Sequence, residues 1–293
     1  MIKKIWMIVN IGLLSLALGL WTLVSLVKGY LGAVAWNVLM LVMGPLGGVL
    51  LGINLISLII CLFRKGSLKI PLLGLAMSLF IGLPMISLMG IKPLAYPARI
   101  EDACLTLTIH SPFKTDTLIG WGGDDIGENK PHAVWPSERW AYDIVLSPHD
   151  HDSKELEDFG IYGLPIYAPV EGQVVAVYDQ EDDILPNTED FLSFEGNYIY
   201  LEVKETGTYL LLNHLLKGSV DLKVGDLVQV GDYLGQVGNS GTTSEPHLHI
   251  HHQVEHPNDV VFPTLAQGLP LYFYDHEGQA YMPVRGQVLK GQD

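Results

Sequence analysis

KVGDLVQVGDYLGQVGNSG occupies residues 223–241, and three residues later it runs into EPHLHI, residues 245–250. Val-Gly-Asp recurs in the first piece as turn chemistry, with short apolar runs between the turns. If residues 247–254 form a strand, the period of two places His247 and His249 on one face and sends Leu248 and Ile250 into a core. Two imidazoles held side by side suit a zinc ion, or one ligand beside one catalytic base. Two half-exposed strand histidines would fit the same pattern.

Working outward, alternating runs of four to seven residues recur at 140–145, 172–178, 197–203, 209–213 and 227–230, separated by Gly, Pro, Asn and Asp. The region is therefore expected to be β-dominated with little helix. Within it, Asp143 is expected on a strand with Trp140 and Tyr142 on the opposite face, and His214 at a strand end. Residues 149–158 and 181–195 read as exposed acidic connectors, and 255–293 as extra strands around the core.

Charge divides the chain sharply. Residues 1–93 carry seven basic side chains and no acidic one; residues 94–293 carry the other ten basic and all 32 acidic ones, and all eleven histidines. A field of that sign repels phosphate backbones and argues against a nucleic-acid partner. Cys61 and Cys104 read as unpaired.

Three apolar stretches, 5–27, 31–63 and 68–89, each reach the roughly 20 residues needed to span a bilayer as a helix. The second is expected to bend at Gly44-Pro45 and Gly47-Gly48. Lys3 and Lys4 precede the first stretch, Arg64 and Lys65 lie between the second and third, and Lys69 stands at the start of the third. That bias places the N-terminus and the second turn in the cytoplasm. Three crossings would then deliver residue 94 onward outside the cell membrane. No stretch carries a charge away from its ends, so the helices read as an anchor rather than a transport path.

The order Asp143-Ile144, PIYAPVEGQVV (165–175), Asn213-His214-Leu215, KVGDLVQVGDYLGQVGNSG and Pro246-His247-Leu248-His249 resembles the LytM/lysostaphin zinc endopeptidases over residues 139–254. The apolar stretches read as N-terminal transmembrane α-helices (1–93), and the resemblance implies that a mostly antiparallel all-β LytM-like domain (94–293) follows them. It also implies one Zn2+ per chain and a peptidoglycan peptide as substrate, with cell-wall or division machinery as a candidate partner. Asp143 and His249 match metal ligands, and His214 and His247 match the catalytic histidines. Where the family has its first histidine ligand, this chain has Arg139. Guanidinium offers no lone pair and cannot ligate zinc.

If residues 139 and 143 share a strand face, Arg139 points at the metal position. Either another histidine replaces the missing ligand, His132 being the best placed, or the site is lost and Arg139 pairs with Asp143. With His132, Asp143 and His249, three protein ligands and a water would give the open geometry of catalytic zinc. Arg139, His251 and Glu245 are candidate groove or substrate contacts. Two rival readings stand beside the enzyme. One is a catalytically inactive LytM-like module that binds peptidoglycan or regulates another wall hydrolase. The other is a biotinyl-type carrier, which would need a lysine at a hairpin tip that neither turn supplies.

Overall fold

The computed structural model describes residues 2–292. The chain forms two compact units, Met1–Pro97 and Ala98–Asp293.

In the first unit, α1 (Ile2–Thr22) continues through a π-helical turn, Leu23–Val27, and stops at Lys28, whose φ of 57° no helix can continue. Next, α2 (Gly29–Val38), a π-turn at Leu39–Met43 and α3 (Gly44–Phe63) run on as one apolar helix of 35 residues. The expected irregularity at Gly44-Pro45 takes the form of that widened turn. Proline has no N–H to donate and its ring crowds the carbonyl four residues back, so the preceding turn opens.

The expected third span does not form as one helix. Instead α4 (Lys69–Ile81, 13 residues) ends at Gly82, and α5 (Met85–Leu88) follows Pro84. At about 1.5 Å per residue, α4 reaches only about two thirds of a hydrocarbon core of ~30 Å. Among the described residues, two helices, Lys4–Val27 and Gly29–Phe63, are long and apolar enough to cross a membrane.

A buried polar stitch joins α1, α3 and α4. Trp6 Nε1 donates to Asn54 Oδ1 (2.9 Å), while Asn54 Nδ2 donates to Asn10 Oδ1 (3.1 Å) and Ser78 Oγ (2.8 Å). Such bonds contribute on the order of 1 kcal/mol each where water is scarce. Gly47 allows the closest approach, because a Cβ there would collide with the backbone of Gly82.

Among the described residues, the second unit is built from fourteen short strands. They are β1 (Leu107–Ile109), β2 (Thr117–Trp121), β3 (Tyr142–Val145), β4 (Pro165–Tyr167), β5 (Gly172–Tyr178), β6 (Asn197–Val203) and β7 (Tyr209–Leu215), then β8 (Leu227–Val228), β9 (Tyr233–Gln236), β10 (Leu248–Gln253), β11 (Gly268–Leu269), β12 (Leu271–Tyr274), β13 (Ala280–Tyr281) and β14 (Val288–Leu289). The principal sheet runs β14-β2-β3-β10-β7-β6-β5-β8, with β11 also on β10, and every pair in it is antiparallel. Smaller sheets pair β4 with β9 and β1-β12-β13, where β1 and β12 are parallel.

One face of the large sheet packs the core. Leu248 and Ile250 meet Ile144, Tyr142, Leu212 and Leu210 there, all fully buried. Each such aliphatic side chain contributes roughly 1.5–3 kcal/mol by leaving water. The alternation that buries these residues turns Asp143, Asn213, His249 and His251 to the other face. Residues 255–293 do more than decorate the core: β11 extends β10, β12 pairs with β1, and β14 closes the sheet against β2. Cys61 is buried, Cys104 is exposed, and both are free thiols.

His252 points into the core side, only 1 % exposed, with Nε2 2.6 Å from Thr208 Oγ1. Burial holds its pKa down at about 4. The unfolded chain takes up this proton near pH 6.5 while the folded chain resists it. The stability the neutral imidazole contributes is thus complete above about pH 6.5 and is lost as pH falls toward 4, by about 3 kcal/mol. Thermal melts of the wild type and His252→Gln between pH 7 and 4 check this, and the variant should show the shallower acid slope.

Candidate metal centre and groove

The register places the site in one row across the sheet. Trp121 pairs with Asp143, Asp143 with His249, His249 with Asn213, Asn213 with Tyr198, and Tyr198 with Tyr178. Cross-strand neighbours stand ~5 Å apart on one face, so distant parts of the chain meet here.

Asp143 is the hub. Its Oδ1 lies 3.2 Å from His132 Nε2, 3.3 Å from His247 Nε2 and 3.1 Å from His249 Nδ1. Two groups of side chains bring their donor atoms within 4.8 Å of one another, namely His132, Asp143 and His249, and His214, His247 and His249. Donors bound ~2.0–2.1 Å from a tetrahedral zinc lie about 3.3 Å from each other. The first group meets that spacing at Asp143 on both sides. Its donor chemistry, two imidazoles and a carboxylate, fits zinc as well.

Each imidazole is oriented by its other nitrogen. His132 Nδ1 faces Asn129 Oδ1 (2.8 Å), His214 Nδ1 faces Ser240 O (2.8 Å) and His247 Nδ1 faces Glu245 O (2.8 Å). These oxygens only accept, so each Nδ1 carries a proton and each Nε2 faces the site, donating to a neighbouring carboxylate when protonated and offering a lone pair once that proton is lost.

His249 is reversed and held by a ladder along β10. Gln253 Nε2 donates to Glu255 O (2.7 Å), which leaves Gln253 Oε1 to accept from His251 Nε2 (3.2 Å). His251 Nδ1 then accepts from His249 Nε2 (3.0 Å), and His249 Nδ1 is left bare toward Asp143. His251 is therefore a support buried behind His249, only 2 % exposed, and not the groove contact the sequence suggested.

Electrostatics follow from this crowding. Burial alone would raise the Asp143 carboxyl, but the charges and hydrogen bonds of His132 and His247 hold it well below the usual range. Burial opposes charging of His132 and His247, yet Asp143 outweighs it and raises both. His214 is pushed well below its ordinary value, by burial first and then by His247 and His249; burial and His249 do the same to His251.

Arg139 does not occupy the position expected of it. It sits in a turn before β3, so residues 139 and 143 do not share a strand face. Its Nη2 pairs with Asp124 Oδ1 (2.9 Å), the atom that also accepts from Trp140 Nε1 (2.7 Å). The loop from Gly122 to Trp140 folds so that His132, not Arg139, reaches Asp143. Asn129 anchors that loop, its Nδ2 donating to Gly123 O and Ala141 O at 3.1 Å each. Gly268 clamps it from β11, because a Cβ there would lie 2.5 Å from Pro136 O and Ser137 O.

A cavity of about 450 Å³ opens beside Asp143 and His247, walled by Trp121, Asp150, Glu245 and Arg285 among others. Glu245 stays at the turn, where its Oε2 accepts from Asp150 N (2.7 Å) and ties the 149–153 segment to the His247 strand. The acidic connectors are thus parts of the site's walls. His149 and His151 line the cavity, and Glu181 is buried, accepting from Leu192 N, Ser193 N and Ser193 Oγ. Sequence reasoning passed over Asn129, Ser240, Gln253 and Arg285. Only the Asn129-to-His132 spacing of three residues, a local turn contact, carried a readable signal.

Residues 157–260 match the model of peptidase family M23. The resemblance to LytM/lysostaphin-type peptidases is borne out over that segment, which is about a third of the chain. That segment contains His214, His247 and His249, while His132 and Asp143 lie upstream of it. Among solved structures, similarity extends to a zinc-containing peptidase from Vibrio cholerae (18 % identity, 49 % of this chain and 36 % of that one, TM-score 0.32). It extends also to lysostaphin in solution (20 %, 54 % and 50 %, 0.33) and to the catalytic domain of lysostaphin from Staphylococcus simulans (21 %, 52 % and 86 %, 0.30). The chain spans half or less of the first two. No curated protein matches it significantly. The assignment rests on the family match.

Proposed function

We propose that this chain is a zinc-dependent endopeptidase that hydrolyses peptide bonds of bacterial peptidoglycan from a membrane tether. The observation that carries the reading is the convergence on Asp143 Oδ1 of His132 Nε2, His247 Nε2 and His249 Nδ1, all within 3.3 Å, in a domain with an M23 segment. His132, Asp143 and His249 would hold the ion. Bound there, zinc supplies a Lewis acid that polarises the scissile carbonyl and makes a water acidic. His214 and His247, whose rings lie 4.8 Å apart, present two Nε2 atoms to the substrate side. One, neutral, takes the proton of the attacking water at its bare Nε2; the other, protonated on Nε2 as well as Nδ1, donates to the oxygen on which negative charge develops and later gives that proton to the leaving amine.

The tether is read from Lys4–Val27 and Gly29–Phe63, with Arg64, Lys65 and Lys69 on the cytoplasmic side. Placing the β-domain outside the cell membrane then requires α4 with α5 to complete a third, interrupted crossing.

A second reading has one observation in its favour. Arg139 stands where the family resemblance implies a ligand, and it is committed to Asp124. A non-catalytic module that binds peptidoglycan follows if His132 does not replace that ligand. The full chain in detergent, incubated with purified peptidoglycan with and without a chelator, separates the two readings. The enzyme contains about one zinc per chain and releases fragments with new amino termini by mass analysis, and chelation stops the release. Binding without new termini, with no bound zinc, supports the module and ends the enzyme reading.

A further inference from the structure

The wall of the cavity contributed by residues 284–287 lies outside the M23 segment and has a chemistry of its own. Arg285 places its guanidinium carbon 3.8 Å above the ring centroid of Trp121, and Trp121 is the direct cross-strand partner of Asp143. The turn that carries Arg285 is strapped to β2 from both sides. Gly286 N donates to Ile119 O (2.7 Å), Ile119 N donates to Gln287 O (3.0 Å), and Val284 N is held by Gln287 Oε1 (3.0 Å). Beyond the turn, β14 pairs with β2 through Val288 and Leu289. The arginine is therefore presented on a fixed platform rather than on a loose tail.

Among the described residues Arg285 makes no ion pair and no hydrogen bond, although its domain holds all 32 acidic side chains of the chain. Stacking on indole occupies the flat face of a guanidinium and leaves its edge N–H groups available, in the fork geometry that matches a carboxylate. The other charged groups that line the cavity are Asp143, Asp150, Asp152 and Glu245. A carboxylate on a ligand is repelled by Asp150, Asp152 and Glu245 and, outside the metal position itself, is attracted at Arg285, so the cavity favours such a group in that orientation.

We propose that Arg285 on Trp121 is a carboxylate-binding subsite, one strand from Asp143, which selects peptides carrying a free carboxylate next to the bond to be cut. The inference rests on the peptidase reading above and adds the class of peptide that the site takes. Trp121 acts as the platform and Arg285 as the contact.

The test compares native peptidoglycan with the same polymer after carbodiimide amidation of its free carboxylates, using full-length chain in detergent. Cosedimentation reports binding, and the release of new amino termini reports cleavage. The wild type should bind and cut the native polymer about tenfold better than the amidated one, a loss carried by KM. Arg285→Gln should treat the two polymers alike, Arg285→Lys should keep part of the preference, and zinc content should be unchanged in both variants. If the wild type handles both polymers equally, or Arg285→Gln keeps the full preference, the subsite is overturned while the peptidase reading stands. If the wild type neither binds nor cuts either polymer, the peptidase reading fails and the subsite falls with it.

Discussion

Asp143→Asn is expected to abolish both zinc binding and hydrolysis, with activity falling by roughly a thousandfold or more if carboxylate and ion act as one unit. Three imidazoles approach one oxygen of this side chain within 3.3 Å. The amide keeps the shape but removes the negative charge that offsets a divalent ion, and it offers a donor where only acceptors serve. Zinc affinity, read by competition with a chromophoric chelator, and fragment release from peptidoglycan should fall together. A variant that keeps one tightly bound zinc would show that His214, His247 and His249 form the true ligand set, and would sink the assignment of Asp143 as a ligand.

The second large effect separates binding from chemistry. His214→Ala and His247→Ala are each expected to lower kcat by about 10²–10⁴, the range of a lost general acid or base, with zinc content close to one per chain. Both rings are held by backbone carbonyls, Ser240 O for one and Glu245 O for the other, so neither needs the metal to be oriented. The pH profile of each variant assigns the roles, because losing the base flattens one limb and losing the acid the other. Loss of zinc in either variant would place that histidine among the ligands instead.

How much of this was legible beforehand follows from the range of the forces involved. The period of two at His247-Leu248-His249-Ile250 is local, and the structure keeps it: the aliphatic pair is in the core and the imidazoles are on the other face. The β-rich domain behind apolar helices was equally readable, and the family match agrees with it. His132 could be singled out because Arg139 cannot ligate, but its route to Asp143 depends on Asn129 bridging two carbonyls, which no periodicity encodes. The assumption that residues 139 and 143 shared a strand failed because β3 begins only at Tyr142. The third span was overread as one continuous helix because mean hydropathy does not register what Gly82 and Pro84 do to a helix. Arg285 was invisible, since its place depends on a strand pairing between residues more than 160 positions apart.

The hydrogen-bond ladder on β10 has a consequence for anyone mapping damage onto this protein. Gln253 lies four residues beyond His249 and reaches the site only by way of His251, yet it dictates which nitrogen of His249 bears a hydrogen. A genetic screen for loss of function should accordingly recover hits at position 253 that mimic ligand mutants, so its footprint will outline the backing of the catalytic strand as well as the surface that meets substrate.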